Sequence, residues 1–115
     1  MKRPVGVLWY ALILVLPVQV VQADAERGRQ LWNQQFEVDG QVRSCLSCHG
    51  ANPRETGKHQ RTGKPIEPMS PVVNPDRLTD PKKMKKWFMR NCKWTLGREC
   101  TSAEQADVID YLKHS

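Results

Sequence analysis

The sequence predicts a small all-α domain of three to four helices, on three observations. Helix-start signals open amphipathic segments near Asp24 and Asp80, and a capping box opens another at Thr101. No stretch alternates apolar and polar residues as a half-buried strand does, and no internal repeat is present. Finally, Cys45-Leu46-Ser47-Cys48-His49 brings two thiols and an imidazole onto one turn, where a covalently held group can complete a small core.

The first helix is expected from Ala25 to about Gln35. Asp24 caps it, Glu26 lies in its first turn, and Leu31, Trp32 and Phe36 fall at helical spacing. Glu37 to Ser44 contains the turn signal Asp39-Gly40 and leads into the cysteine motif. Asn52 to Pro75 reads as irregular, broken by Pro53, Gly57, Gly63, Pro65, Pro68, Pro71 and Pro75. A loop of that length inside a compact domain needs something to wrap.

Asp80-Pro81 is a helix start, with Asp80 or Thr79 as cap and proline at the first helical position. This helix is expected to run through Arg90. Met84, Trp87, Phe88 and Asn91 share one face, with Lys82, Lys83, Lys86 and Arg90 mostly turned from it. In the last helix Thr101-Ser102-Ala103-Glu104 is the capping box. Val108, Ile109 and Leu112 form its buried stripe, and it ends near His114.

Cys-x-x-Cys-His is the spacing of covalent haem attachment. Each thiol adds across one vinyl group of a single haem, and the following histidine supplies the proximal iron ligand. A zinc site would want a second closely spaced ligand pair, whereas Cys92 and Cys100 stand well apart. A thioredoxin-type pair belongs in a βαβ context that this chain lacks. Haem attachment is therefore the reading of Cys45, Cys48 and His49.

The residues leave the sixth iron ligand open among Met69, Met84, Met89, His59, His114, lysine side chains and Asn91. Methionine is the usual partner of histidine in electron-carrying cytochromes c, and Met69 sits among prolines. Met84 reads as core filling, Met89 points off the apolar face, and His59 and His114 lie in polar surroundings expected to be exposed. Asn91 is polar on an apolar face, which a helix C-cap would explain.

Lys2 and Arg3, the apolar run from Val5 to Val21 and the small residues at Val21-Gln22-Ala23 read as an export leader over residues 1–23. Cleavage is expected after Ala23, with Ala25 as the second choice and an uncleaved anchor as the lesser alternative. Residues 24–115 then form one monohaem domain, too short for two cores. The formal net charge of +6, two of it from the leader, is too weak to argue for nucleic acid and suits an acidic partner surface. In an oxidising compartment Cys92 and Cys100 are free to pair, contributing about 2.5 kcal/mol on the chain-entropy model, or to stand as two thiols.

The run Lys85-Lys86-Trp87-Phe88-Met89-Arg90-Asn91-Cys92-Lys93-Trp94-Thr95-Leu96-Gly97-Arg98-Glu99-Cys100-Thr101 resembles the signature of the SHP family (sphaeroides haem proteins) of monohaem cytochromes c. Cys45 to Pro53 and Thr62-Gly63-Lys64-Pro65-Ile66-Glu67-Pro68 resemble it too. The resemblance implies a class I cytochrome c fold around one haem c and a periplasmic location. It also implies His49 and Asn91 as iron ligands beside a Cys92–Cys100 disulfide. On reduction the asparagine would leave and oxygen, nitric oxide or carbon monoxide bind. Trp87, Phe88 and Trp94 would line the pocket, or serve simply as core. The implied redox partner is a dihaem cytochrome c, sometimes with a membrane b-type cytochrome, and the lysines around Lys82 to Lys86 serve as a docking face or an ordinary solvated surface. No residue supplies an evident distal proton donor, which weighs against an oxygen- or nitric oxide-consuming enzyme.

Overall fold

The computed structural model of the protein describes residues 1–19 and 22–115. Residues 1–19 carry no secondary structure and lie exposed, and among the described residues no helix is long and apolar enough to cross a membrane. The last residues of the leader's apolar run, at 20 and 21, lie outside the described residues.

Among the described residues, four helices and two short hairpins follow. Helix α1 spans Ala25–Asn33, α2 Leu46–His49, α3 Pro81–Leu96 and α4 Ser102–Lys113. Strands β1 (Phe36–Val38) and β2 (Gln41–Arg43) pair antiparallel, with Phe36 opposite Arg43. Strands β3 (Gly57–Lys58) and β4 (Pro65–Ile66) do the same inside the long irregular segment. The chain is thus predominantly helical, and the strands are the departure from an all-α expectation. Asp39 and Gly40 both adopt positive φ, 51° and 73°, as a two-residue type I′ turn demands. The same hairpin takes Phe36 out of α1, which stops short at Asn33.

Capping fixes the helix starts. The Asp24 carboxylate accepts from the backbone nitrogens of Glu26 and Arg27 at 2.8 and 3.1 Å. At α3 the cap is Asp80, accepting from Lys82 and Lys83, while the Thr79 hydroxyl donates back to the Asp76 carbonyl. α3 runs on through Asn91 and stops where Gly97 takes the left-handed conformation.

Helix α1 crosses α4 at Gly28. A Cβ there would overlap the Asp107 carbonyl oxygen and stand 2.8 Å from the Cβ of Tyr111. That close approach buries Trp32 against Val108 and Leu112, with Leu31, Leu46, Met69, Phe88 and Tyr111 packed around them. Cys92 and Cys100 form a disulfide with a Cα–Cα distance of 5.6 Å, joining α3 to the residue before the α4 cap.

The capping box of α4 is complete. Thr101 N donates to Glu104 Oε1 at 2.9 Å and Glu104 N to Thr101 Oγ1 at 3.1 Å. Arg98 adds two bonds to the same carboxylate, at 2.8 and 2.9 Å, and these are the chief cause that holds its pKa down at about 2. A carboxyl whose folded pKa is depressed stabilises the fold above its unfolded value and loses that contribution as pH falls toward the folded one. Thermal unfolding of Glu104→Gln should therefore lose part of the decline in melting temperature seen between about pH 4.5 and pH 2. Equal declines in variant and parent would contradict this role.

Candidate haem-binding site

The motif is held as one helical turn. Ser44 and Ser47 cap each other reciprocally, Ser44 N donating to Ser47 Oγ at 3.1 Å and Ser47 N to Ser44 Oγ at 3.2 Å. Cys48 N and His49 N both donate to the Cys45 carbonyl, at 3.3 and 3.2 Å, and Gly50 ends the turn with φ 75°. Gly57 packs on the back of this turn so closely that a Cβ would overlap the Cys48 carbonyl oxygen. The backbone nitrogen of Gln60 donates to Cys48 Sγ at 3.3 Å.

Electrostatics suit a covalent cofactor better than a redox pair. Cys45 and Cys48 are not bonded to each other, and burial pushes the Cys45 thiol up to about 11, the opposite of a reactive thiolate. Among the described residues no group of three histidine, cysteine or acidic side chains is placed to hold a metal, so a zinc tetrad finds no support. Burial, aided by the charge of Arg77, lowers His49 to about 4, so its imidazole is neutral at pH 7. Its ring stands 5.1 Å from that of Trp32, and its buried Nδ1 has no hydrogen-bond partner among the described residues. A neutral, buried imidazole with no protein partner is a donor fitted to a metal.

One cavity of about 790 Å³ meets all the expected residues. Cys45, Cys48, His49, Trp87, Phe88, Asn91, Cys92, Trp94 and Cys100 line it, together with Trp32 and Leu112. The volume falls in the ordinary range of cofactor sites. The residues present therefore fit a haem.

The rival ligands separate. Met69, Met84 and His59 also line the cavity, whereas Met89 does not and is 48% exposed. His114 is exposed, its ring against the Asp110 carbonyl. The expectation that His59 is exposed needs correction. It is half-buried because its ring stands 6.5 Å from that of Trp94 beside the cavity, while its Nδ1 accepts from the backbone nitrogens of Arg61 and Thr62. The C-cap account of Asn91 also fails, because α3 continues beyond it to Leu96. Asn91 lines the cavity from inside a helix, is exposed there, and among the described residues its amide makes no hydrogen bond within the protein.

The aromatics divide in role. Trp87 lines the cavity yet is half-exposed, with the Arg90 guanidinium 5.6 Å from its ring. Trp94 carries the Arg43 guanidinium 3.5 Å above its ring, and Arg43 also donates to the Trp94 carbonyl at 2.8 Å. Arg77 carried no signal in the sequence. It lines the cavity and straps the Met69 segment by donating to the Pro68 and Glu67 carbonyls, both at 3.0 Å. Leu78 beside it also lines the cavity and holds a left-handed φ of 61°, unusual for a leucine.

Residues 18–112 match the family described as a domain of unknown function, DUF1924, to which the chain belongs. It is 45% identical over 91 residues to the cytochrome c-type protein SHP of Cereibacter sphaeroides, covering 78% of this chain and 70% of that protein. The chain belongs to the SHP family of cytochromes c. Haem c is accordingly its cofactor. The fold is similar to that of oxidised SHP, described as an oxygen-binding cytochrome c, with a TM-score of 0.76 at 42% identity, over 81% of this chain and 83% of that one. Oxidised cytochrome c'' of Methylophilus methylotrophus is also similar, with a TM-score of 0.74 at 36% identity over 80% and 76% of the two chains. In sequence that protein is 40% identical over 86 residues, which span 74% of this chain and 60% of the relative.

Proposed function

We propose that the protein is a periplasmic class I cytochrome c with one haem, held by thioethers to Cys45 and Cys48 and ligated by His49 and Asn91, which binds a small gas when reduced. The iron supplies electron transfer and affinity for diatomic molecules. The chain does the rest. Trp32 packs against the His49 ring, and burial keeps that imidazole neutral and ready to ligate. The Asn91 amide oxygen is a weak, hard donor, suited to the ferric state and readily displaced in the ferrous one. Phe88 and Trp87, one turn before it, would screen the position it gives up.

The observation that carries this reading is an asparagine amide in the interior of α3, facing the cavity, with no cap to serve. The oxygen binding described for the SHP relative supports extending the reading to gases. The absorption spectrum of the reduced protein, with and without carbon monoxide, is the test. A high-spin ferrous form that takes up carbon monoxide readily is expected. A stable low-spin ferrous form would replace this reading by a histidine–methionine electron carrier, with Met69 as ligand.

Electrons would come from a dihaem cytochrome c, and in some settings through a membrane b-type cytochrome. Lys82, Lys83, Lys85 and Lys86 are all exposed on α3, whose inner face lines the cavity, so an acidic partner would meet them close to the haem. Reduction by such a partner should slow several-fold as salt rises from low to physiological strength. A rate indifferent to salt would remove electrostatic docking.

A further inference from the structure

The bond between Ala23 and Asp24 stands at a sharp boundary. Gln22 and Ala23 are exposed, the Gln22 carbonyl accepting from Arg27 Nη2 at 2.6 Å, while the backbone nitrogen of Asp24 donates to Oδ1 of Asp107 at 2.8 Å. Asp107 is buried on α4, 7% exposed, directly at the helix crossing. Arg27 reaches the same carboxylate through Nε at 3.0 Å and Nη2 at 3.3 Å, and the Asp24 carboxylate lies 3.5 Å from Arg27 Nη1. The cluster in the uncut chain thus sets two carboxylates against one guanidinium. Glu104, one turn earlier on α4, adds further negative charge, although Arg98 already engages it.

We propose that the chain is cut between Ala23 and Asp24, and that the α-ammonium so created is held by the buried Asp107 carboxylate, completing the ion cluster that clamps α1 to α4. Hydrolysis by a leader peptidase breaks the carbon–nitrogen bond. Water gives its hydroxyl to the Ala23 acyl carbon, and the Asp24 nitrogen takes up two protons, one from that water and one from the new carboxylic acid. Ala23 leaves as a carboxylate and Asp24 begins the mature chain as an ammonium. Two anions then face two cations, and a hydrogen bond that was charged only on its acceptor side becomes an ion pair. The dipole of α1 opposes a cation at that end, so the carboxylates of Asp24 and Asp107 are what make the position tenable.

The folded structure accommodates a start at Asp24 better than one at Glu26. Cleavage after Ala25 would remove the Asp24 carboxylate that caps α1 through Glu26 and Arg27, together with the nitrogen bonded to Asp107. It would leave the helix uncapped and the buried carboxylate with one partner fewer.

The full chain, expressed with its leader in cells that attach haem c, gives the test. Intact mass and N-terminal sequencing of the holoprotein should place the first residue at Asp24. A start at Glu26, or retention of residues 1–23, would overturn the proposal. In the mature holoprotein the α-amino group should titrate above its ordinary range of about 7.7–8.0, followed by NMR. Because that pKa is raised on folding, the pairing stabilises the protein below the ordinary value and fades as pH climbs through the raised one. Asp107→Asn should return the titration to the ordinary range. Should that variant fail to fold, one glycine inserted before Asp24 moves the ammonium about 3.8 Å away and should do the same. An unraised value in the parent, or a raised one after the insertion, would sink the pairing. None of these readouts depends on which residue ligates the iron.

Discussion

Asn91→Ala should convert the ferric absorption spectrum almost wholly from a low-spin to a high-spin form, while Met69→Ala leaves it unchanged. The expectation rests on where Asn91 sits. It lies in the interior of α3 and lines the cavity that His49 also lines. Alanine is the better helix former by roughly 0.5 kcal/mol, so the substitution should not weaken the fold. A spectral change therefore reports on the iron and not on unfolding, which melting curves of the two variants can verify. If the ferric spectrum of Asn91→Ala matches that of the parent, asparagine is not the ligand. If Met69→Ala is the variant that changes, methionine is.

The second large effect belongs to the helix crossing. Gly28→Ala should lower stability by on the order of 3 kcal/mol, because the new methyl overlaps the Asp107 carbonyl and backbone cannot step aside as a side-chain tip can. For a domain of this size that amounts to a drop of more than about 10 °C in melting temperature. The damage should reach the site as well. Trp32, one turn on from Gly28, is buried between the crossing and the His49 ring, with Tyr111 6.1 Å from its own ring. Displacing α1 displaces that contact. A Gly28→Ala holoprotein that melts like the parent would show that the two helices are free to separate without cost.

An element is legible in this sequence to the extent that its cause is local. Asp24, Asp80 and the Thr101–Glu104 box announced three helix starts because caps act within one turn. The Asp39-Gly40 turn was equally plain, yet its strands were not, since three residues are too few to display alternation. Consequently Phe36 was assigned to α1. The end of α3 was missed for a different reason. Leu96-Gly97 with Lys93 in the last turn is an ordinary stop signal, but Asn91 beside a cysteine offered an earlier one. The cap explanation of Asn91 was thus an artefact of placing the helix end too soon.

In the site, the cysteine motif was legible because its chemistry dictates its spacing. Trp32 and Arg77 were not, since each reaches the cavity through packing or hydrogen bonds set by other segments, and His59, a candidate ligand, was expected at the surface. Trp32 was visible only as part of an apolar stripe. Arg77 had no reason to be singled out until its guanidinium was seen strapping Glu67 and Pro68.

The unbroken course of α3 through Asn91 has a consequence for how such a gate would move. Its backbone is locked on both sides, by the Asp80 cap before it and by the Cys92–Cys100 bridge and Gly97 after it. A side chain so rooted has only its two torsions to turn about. Release would be a rotamer hop of a few atoms, intrinsically a picosecond-to-nanosecond event, and not a loop swinging open over microseconds. A latch of that kind resets as quickly as it opens. The time an incoming gas molecule has to enter would then be set by the redox state, and hardly at all by the inertia of the protein.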